Sequence, residues 1–280
     1  KRREVMNTKT HIIHPFLYAA CLIILVITGF PFIFLLVNSF KDMAEYLQNI
    51  WTLPSEFYFG NYEAVFQPSF LRYFLNSAMV SAASVFLILL SSSMISFAFA
   101  KMKFKASGVL YFLIIAGMMI PVHTTLIPTF TLLSSIHLND SLIGLCGPYI
   151  SYNIPISVFI LTQFFKEIPK EIEEAAIIDG CSTVGVFHKI ILPLSGAGLS
   201  TVTVYTFLNI WNEFINANVL INTTAKKTLP LGIREFYGFQ SVNIPAILTA
   251  ILVGSLPVII LYFCAQEKVV NGLTQGAVKG

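Results

Sequence analysis

Apolar residues run nearly without relief along this chain, gathered into six stretches near 15–37, 74–99, 108–133, 142–165, 196–221 and 244–265. Each is close to the ~20 residues that a helix needs to cross about 30 Å of hydrocarbon. The pattern predicts an all-α polytopic membrane protein: six transmembrane helices in one domain over 1–280, with both termini on one side. The first run, Pro15 to Val37, follows Lys1-Arg2-Arg3 as a secretory leader would. It is too long for a leader's apolar region and lacks an Ala-x-Ala site, so it reads as a retained first helix.

The longest polar interruption in the second half runs from Phe164 to Pro193. Pro169 suits the first turn of a helix, where no backbone donor is lost. Residues 170–179 then make about three turns, and Gly180 closes them in the left-handed conformation. Ile168, Ile172, Ala175, Ala176 and Asp179 follow helical spacing on one side. Glu171, Glu173 and Glu174 lie toward the N-terminal end, where the helix dipole favours carboxylates. So short a helix is marginal alone in water and needs something to pack against.

Composition supports the membrane reading. Residues are 56% hydrophobic and 11% charged, and mean hydropathy is +0.77, against about 25% charged in a soluble domain. The net charge of +3 is small, so its distribution matters more than its size. With both termini cytoplasmic, 12 Lys and Arg residues fall inside and 5 outside, accounting for all 17. The positive-inside rule favours this orientation and puts 166–195 in the cytoplasm. The 4 cysteines are scattered, with neither disulfide nor metal spacing.

Among the connections, 38–73 carries Trp51, Pro54, Tyr58, Tyr62 and Phe66, which suit either an interfacial belt or a docked partner. Pro121 and Pro128, Pro148 and Pro155, and Pro257 interrupt three spans. They fit plain kinks or helices lining a wet path.

No Gly-x-x-x-x-Gly-Lys-Ser/Thr, His-Glu-x-x-His or Gly-x-Ser-x-Gly motif occurs, and the 5 histidines are dispersed. Nothing points to a bound nucleotide, metal, other cofactor or nucleic acid. Polar residues inside spans draw attention instead. Asn209, Asn212 and Asn216 sit at i, i+3 and i+7 around Glu213, as on one helical face. A carboxylate in hydrocarbon costs on the order of 3 kcal/mol. The face either lines a solute path or a subunit interface, or hydrogen-bonds to neighbouring helices. His123 and Asn153 fit satisfied structural roles.

Glu174-Ala175-Ala176-x-x-Asp179-Gly180, followed by Phe187-x-x-Ile190-x-Leu192-Pro193, resembles the EAA loop of ABC importer permeases. Asn76-Ser77, Trp211-Asn212-Glu213-Phe214 and the tail from Gln266 through Gly272-Leu273 to Gly280 look like its carbohydrate branch, the maltose-type and multiple-sugar importers. Ala197 stands where the family often has proline, and Cys181 where it usually has alanine.

The resemblance implies a six-helix type I importer permease in the bacterial inner membrane. It implies a second homologous permease, two cytoplasmic ATPase subunits, an extracytoplasmic solute-binding protein and alternating access. It assigns Glu173, Glu174, Ala175, Ala176, Asp179, Gly180, Phe187, Leu192 and Pro193 to ATPase coupling through 166–195. Sugars or oligosaccharides are the expected solute. Two other readings are a permease for another polar solute, such as glycerol phosphate, and a polytopic membrane enzyme, for which no catalytic constellation exists.

Overall fold

The computed structural model describes residues 2–236 and 242–277, with side chains for 17–236 and 242–267. Lys1, Gly238 and the last three residues of the carbohydrate-branch tail lie outside the described residues. So do the side chains of Arg2, Arg3, Lys268, Val269, Val270, Leu273 and Lys279. The described elements are helical, in the order α1 (Arg2–Ser39), α2 (Met43–Gln48), α3 (Gly60–Val65), α4 (Pro68–Lys101), α5 (Ser107–Ala116), α6 (Leu126–Ser135) and α7 (Leu142–Glu167). Then follow α8 (Lys170–Ile178), α9 (Thr183–Val186), α10 (Leu192–Leu194), α11 (Gly196–Trp211), α12 (Ile215–Leu220), α13 (Leu229–Glu235) and α14 (Ile244–Ala277).

Four stretches are long and apolar enough to cross a membrane: Leu17–Ser39, Pro68–Lys101, Leu142–Glu167 and Ile244–Glu267. Two bent pairs bring the number to six if each counts as one span. Ser107–Met119 and Val122–Ser135 meet at 93°, and Thr183–Leu194 meets Gly196–Trp211 at 75°. The third span is thus interrupted at Pro121, one of the two prolines expected to break it, while Pro128 lies within α6. Pro121 has no N–H to continue the helix, and Ile120 before it is extended, at φ −81° and ψ 115°. By contrast, Pro148 and Pro155 sit inside a continuous α7, and Pro257 inside α14.

The chain divides into two compact units. Lys1–Gln67 with Glu235–Ser255 forms the first. Its polar centre holds the fully buried Lys41, whose Nζ donates to the Asn49 carbonyl at 2.8 Å and Thr52 Oγ1 at 3.4 Å. Asn61 Nδ2 donates to the carbonyls of Ser39 and Lys41. Trp51 packs on Phe30 and Phe34 of α1, with ring centres 6.1 and 5.8 Å apart.

Pro68–Arg234 with Leu256–Gly280 forms the second unit. Its core lies where α4, α7 and α11 pack together, around the fully buried Ile88, Leu145, Val158, Leu161, Phe165 and Val202. The buried side of α4 carries Ser77, Ser81, Ser84, Ser92 and Ser96, small residues that let helices approach closely. Ser96 Oγ uses that closeness to reach the Val158 carbonyl at 3.2 Å. Gly198 plays the same part for α11, since a Cβ there would meet the Phe164 ring at 2.7 Å.

Candidate functional site

The polar interruption becomes a short helix between two bends. Helix α7 stops at Ile168, which Pro169 forces to be extended, at φ −70° and ψ 122°. Helix α8 then runs from Lys170 to Ile178. Its end is a Schellman cap: Cys181 N–H reaches the Ala176 carbonyl at 2.9 Å, and Gly180 N–H reaches Ile177 at 3.0 Å. Gly180 has φ +83° with open space around its missing Cβ. Conformation, not crowding, therefore calls for glycine here.

The residues spaced along one side of α8 divide between the inside and the outside of the chain. Ile168 is buried and Ala176 packs against the core, but Ile172, Ala175 and Asp179 are exposed. What draws the helix inward is Glu173, ion-paired with Lys101 at the end of α4, with both side chains almost covered. Lys101 Nζ also donates to the Ile168 carbonyl at 2.8 Å. Glu174, Ala175 and Asp179 face solvent beside Ile172, Ile177, Ile178 and Val184. Ile178 is 85% exposed. The outer surface of the loop is thus an apolar tip edged by Glu171, Glu174 and Asp179.

After the loop, Ser182 caps α9 by accepting from Gly185 N–H at 3.2 Å. Phe187–Ile191 widens into a π turn. Pro193 lies two residues beyond it, with no N–H for the carbonyl four residues back, and the wider turn accommodates that loss. Phe187 is buried against Phe97 with ring centres 5.1 Å apart, and Leu192 packs on the core. Of the signature residues, Glu173, Ala176, Phe187 and Leu192 thus face into this chain, while Glu174, Ala175, Asp179, Gly180 and Pro193 face out.

The polar residues of the fifth span do not share one helix face. Helix α11 ends at Trp211, and α12 resumes at Ile215. Glu213 fills the break. Its carboxylate accepts from Tyr149 OH at 2.7 Å, Asn216 N–H at 2.7 Å, Asn216 Nδ2 at 3.0 Å and Ala217 N–H at 3.2 Å. Four donors offset the cost of a partly buried charge, and two of them are orphan N–H groups opening α12. Asn212 points elsewhere, exposed and bonded to the Leu208 carbonyl at 2.9 Å.

Asn209, Glu213 and Asn216 do converge on a cavity of about 270 Å³, with Val122, Tyr149, Tyr152, Asn153, Tyr205 and Ile210 completing its wall. Tyr152 OH is paired with Thr125 Oγ1 at 2.6 Å, and Asn153 Nδ2 donates to the Tyr149 carbonyl at 2.8 Å. Asn209 and Tyr205 make no side-chain hydrogen bond among the described residues. Sequence reasoning missed the three tyrosines, although Tyr149 and Tyr152 share a helix face between the two prolines of α7. No three His, Cys, Asp or Glu side chains gather as a metal site among the described residues.

A second polar joint lies in the loops. Asp140, at φ +48°, accepts from the N–H groups of Asn222 and Thr223, both at 2.9 Å, and from Thr223 Oγ1 at 2.6 Å. Lys226 adds an ion pair at 3.3 Å. The Thr223 hydroxyl and N–H, assisted by Asn222 and Lys226, hold the Asp140 carboxyl well below the usual carboxylate range against the opposing effect of burial. The same loop is gripped by α4: Asn76 Nδ2 donates to the carbonyls of Ala225 and Lys227, and Ser77 Oγ accepts from Leu229 N–H.

Comparison with known proteins places this arrangement in a family. Residues 92–274 match the family described as binding-protein-dependent transport system inner membrane component. A putative ABC transporter permease protein from Caldicellulosiruptor sp. (strain Rt8B.4) is 45% identical over 255 residues, covering 91% of this chain and 93% of its own length. The sulfoquinovosyl glycerol transport system permease of Agrobacterium fabrum is 36% identical over 268 residues, covering 95% and 94%. In fold, the chain matches a subunit of a bacterial ABC transporter involved in import of the acidic polysaccharide alginate. There the TM-score is 0.80 at 22% identity, covering 92% of this chain and 97% of that one. The chain belongs to the family of inner-membrane components of binding-protein-dependent transport systems, and it is a transport permease subunit rather than an enzyme.

Proposed function

We propose that this permease carries a neutral saccharide, and that the tyrosine- and amide-lined cavity is its part of the path. The carrying observation is the lining itself: three tyrosines, three asparagines and one glutamate, with no lysine or arginine. Sugar rings offer apolar C–H faces to aromatic rings and hydroxyls to amides and phenols. An anionic solute such as glycerol phosphate would need a cation along the path. Tyr205 and Asn209 make the direct contacts, while Glu213 shapes the wall through Tyr149 and α12. Asn212 lies off the path. Relatives named for transport of starch degradation products and of arabinooligosaccharides, each 33% identical, support a saccharide solute.

In this reading both termini are cytoplasmic, and 166–195 carries the coupling helix. The tip formed by Glu174, Ala175, Ile178 and Asp179 seats in a cleft of an ATPase subunit, and Gly180 allows the sharp exit. Glu173, Phe187, Leu192 and Pro193 anchor the helix from behind. A second, homologous permease completes the path, two ATPases drive it, and an extracytoplasmic binding protein delivers solute. The test is uptake by cells holding the full complex, competed with a panel of neutral and acidic mono- and oligosaccharides. Competition by neutral oligosaccharides, with KM raised about tenfold or more in Y205A and N209A by loss of good contacts, is the expected result. Competition by acidic sugars alone, or unchanged KM in both variants, overturns it.

A further inference from the structure

Helix α4 is fastened at both ends by polar contacts and has no break between them. At one end Lys101 holds Glu173 of α8 and the Ile168 carbonyl. At the other, Asn76 and Ser77 hold the 225–229 loop through three hydrogen bonds. From Asn76 to Lys101 the helix spans roughly 38 Å at 1.5 Å per residue. It contains no glycine, and its one proline is Pro68 at the first position. The other spans of this unit are bent or carry internal proline: 93° at Pro121, two prolines in α7, and 75° at Ser195 with a second break at Asn212–Phe214. A stiff element joined at both ends transmits displacement, whereas broken helices absorb it.

We propose that α4 is a transmission rod, and that Lys101 and Asn76 are the positioning residues coupling movement of α8 to the 222–229 loop. The inference rests on α8 being the ATPase-coupling helix. When α8 is displaced, the buried Lys101–Glu173 pair makes α4 follow, because separating the partners strands a charge out of water. Asn76 then carries the displacement to Ala225 and Lys227. The loop on the solute-receiving side thereby senses the state of the ATPases without contacting them, and the solute cavity is not required for the signal.

The test uses the complete complex with ATPases and partner permease, the four native cysteines replaced by serine, and a fluorescent label on T224C, an exposed loop position. ATP plus orthovanadate is the probe. The wild-type background shows a label change on nucleotide trapping. K101M and N76A are each expected to shrink it by about fivefold or more while still trapping nucleotide, and the swap K101E/E173K to restore what K101M loses. An unchanged label response in K101M with normal trapping overturns the rod. If K101M does not assemble, the swap decides: recovery of assembly and response supports the rod, and recovery of assembly alone overturns it. A wild-type chain that captures no ATPase overturns the coupling reading itself, an outcome separate from these.

Discussion

Replacing Glu213 by alanine strips one acceptor group from four donors at once: Tyr149 OH, the N–H groups of Asn216 and Ala217, and the Asn216 amide. Loss of a helix cap costs about 1 kcal/mol. Loss of a side-chain hydrogen bond between membrane helices costs about 0.6 kcal/mol and at most about 1.7. The cap at α12 plus the Tyr149 bond therefore amount to about 2–3 kcal/mol. At about 2–4 °C per kcal/mol for a protein of comparable size, E213A is expected to melt roughly 4–12 °C lower. Y149F loses one bond of about 0.6 kcal/mol and should shift less, about 1–2 °C on the same scale. The residues act through a single bond, so Y149F/E213A should be no worse than E213A. Thermal unfolding of the purified complex, followed by size-exclusion fluorescence, reads all three. An E213A midpoint within about 1 °C of wild type on that scale, or full additivity in the double variant, refutes the structural role assigned to Glu213.

Other outcomes follow from the loop and from the Asp140 joint. Gly180→Val forces a β-branched residue into φ +83°, which costs on the order of 1–2 kcal/mol. It should lower uptake relative to ATP hydrolysis, as should Glu174→Lys by reversing charge at the tip; wild-type uptake and stimulated hydrolysis in both would sink the assignment. Asp140 has a depressed pKa in the folded chain, so its stabilisation is fully present above the unfolded value of about 3.9 and is lost as pH falls through the folded value. Lowering pH from 6 to 4 should therefore destabilise D140N and wild type alike, and the difference between them should close only in stronger acid. A gap that already closes by pH 5 contradicts the joint.

Much of this was legible because hydrophobic runs and turn chemistry are local. Pro169 and Gly180 bracket α8 by backbone rules that need no neighbours, and both operate in the structure. The apolar runs announced long apolar helices for the same reason. What escaped depended on partners distant in sequence. Glu173 and Glu174 are adjacent carboxylates, and only Lys101, 72 positions before Glu173, turns one inward and leaves the other free. The face of Asn209, Asn212 and Asn216 assumed an uninterrupted helix. Glu213 removes that assumption by capping a new helix start with its own side chain. Tyr149 became visible only as the partner of that carboxylate. Pro121 and Pro155 look equivalent in sequence, yet one ends a helix at 93° and the other sits inside α7.

Whether α8 meets an ATPase is tested most directly at Ile178, the most exposed large hydrophobic side chain on that helix. A photoreactive amino acid at position 178, irradiated in cells that express the whole importer, should join this chain to an ATPase subunit. The yield should change when ATP turnover is blocked with vanadate. Crosslinks only to lipid or to proteins outside the cytoplasm, with none to an ATPase under either condition, would contradict that contact.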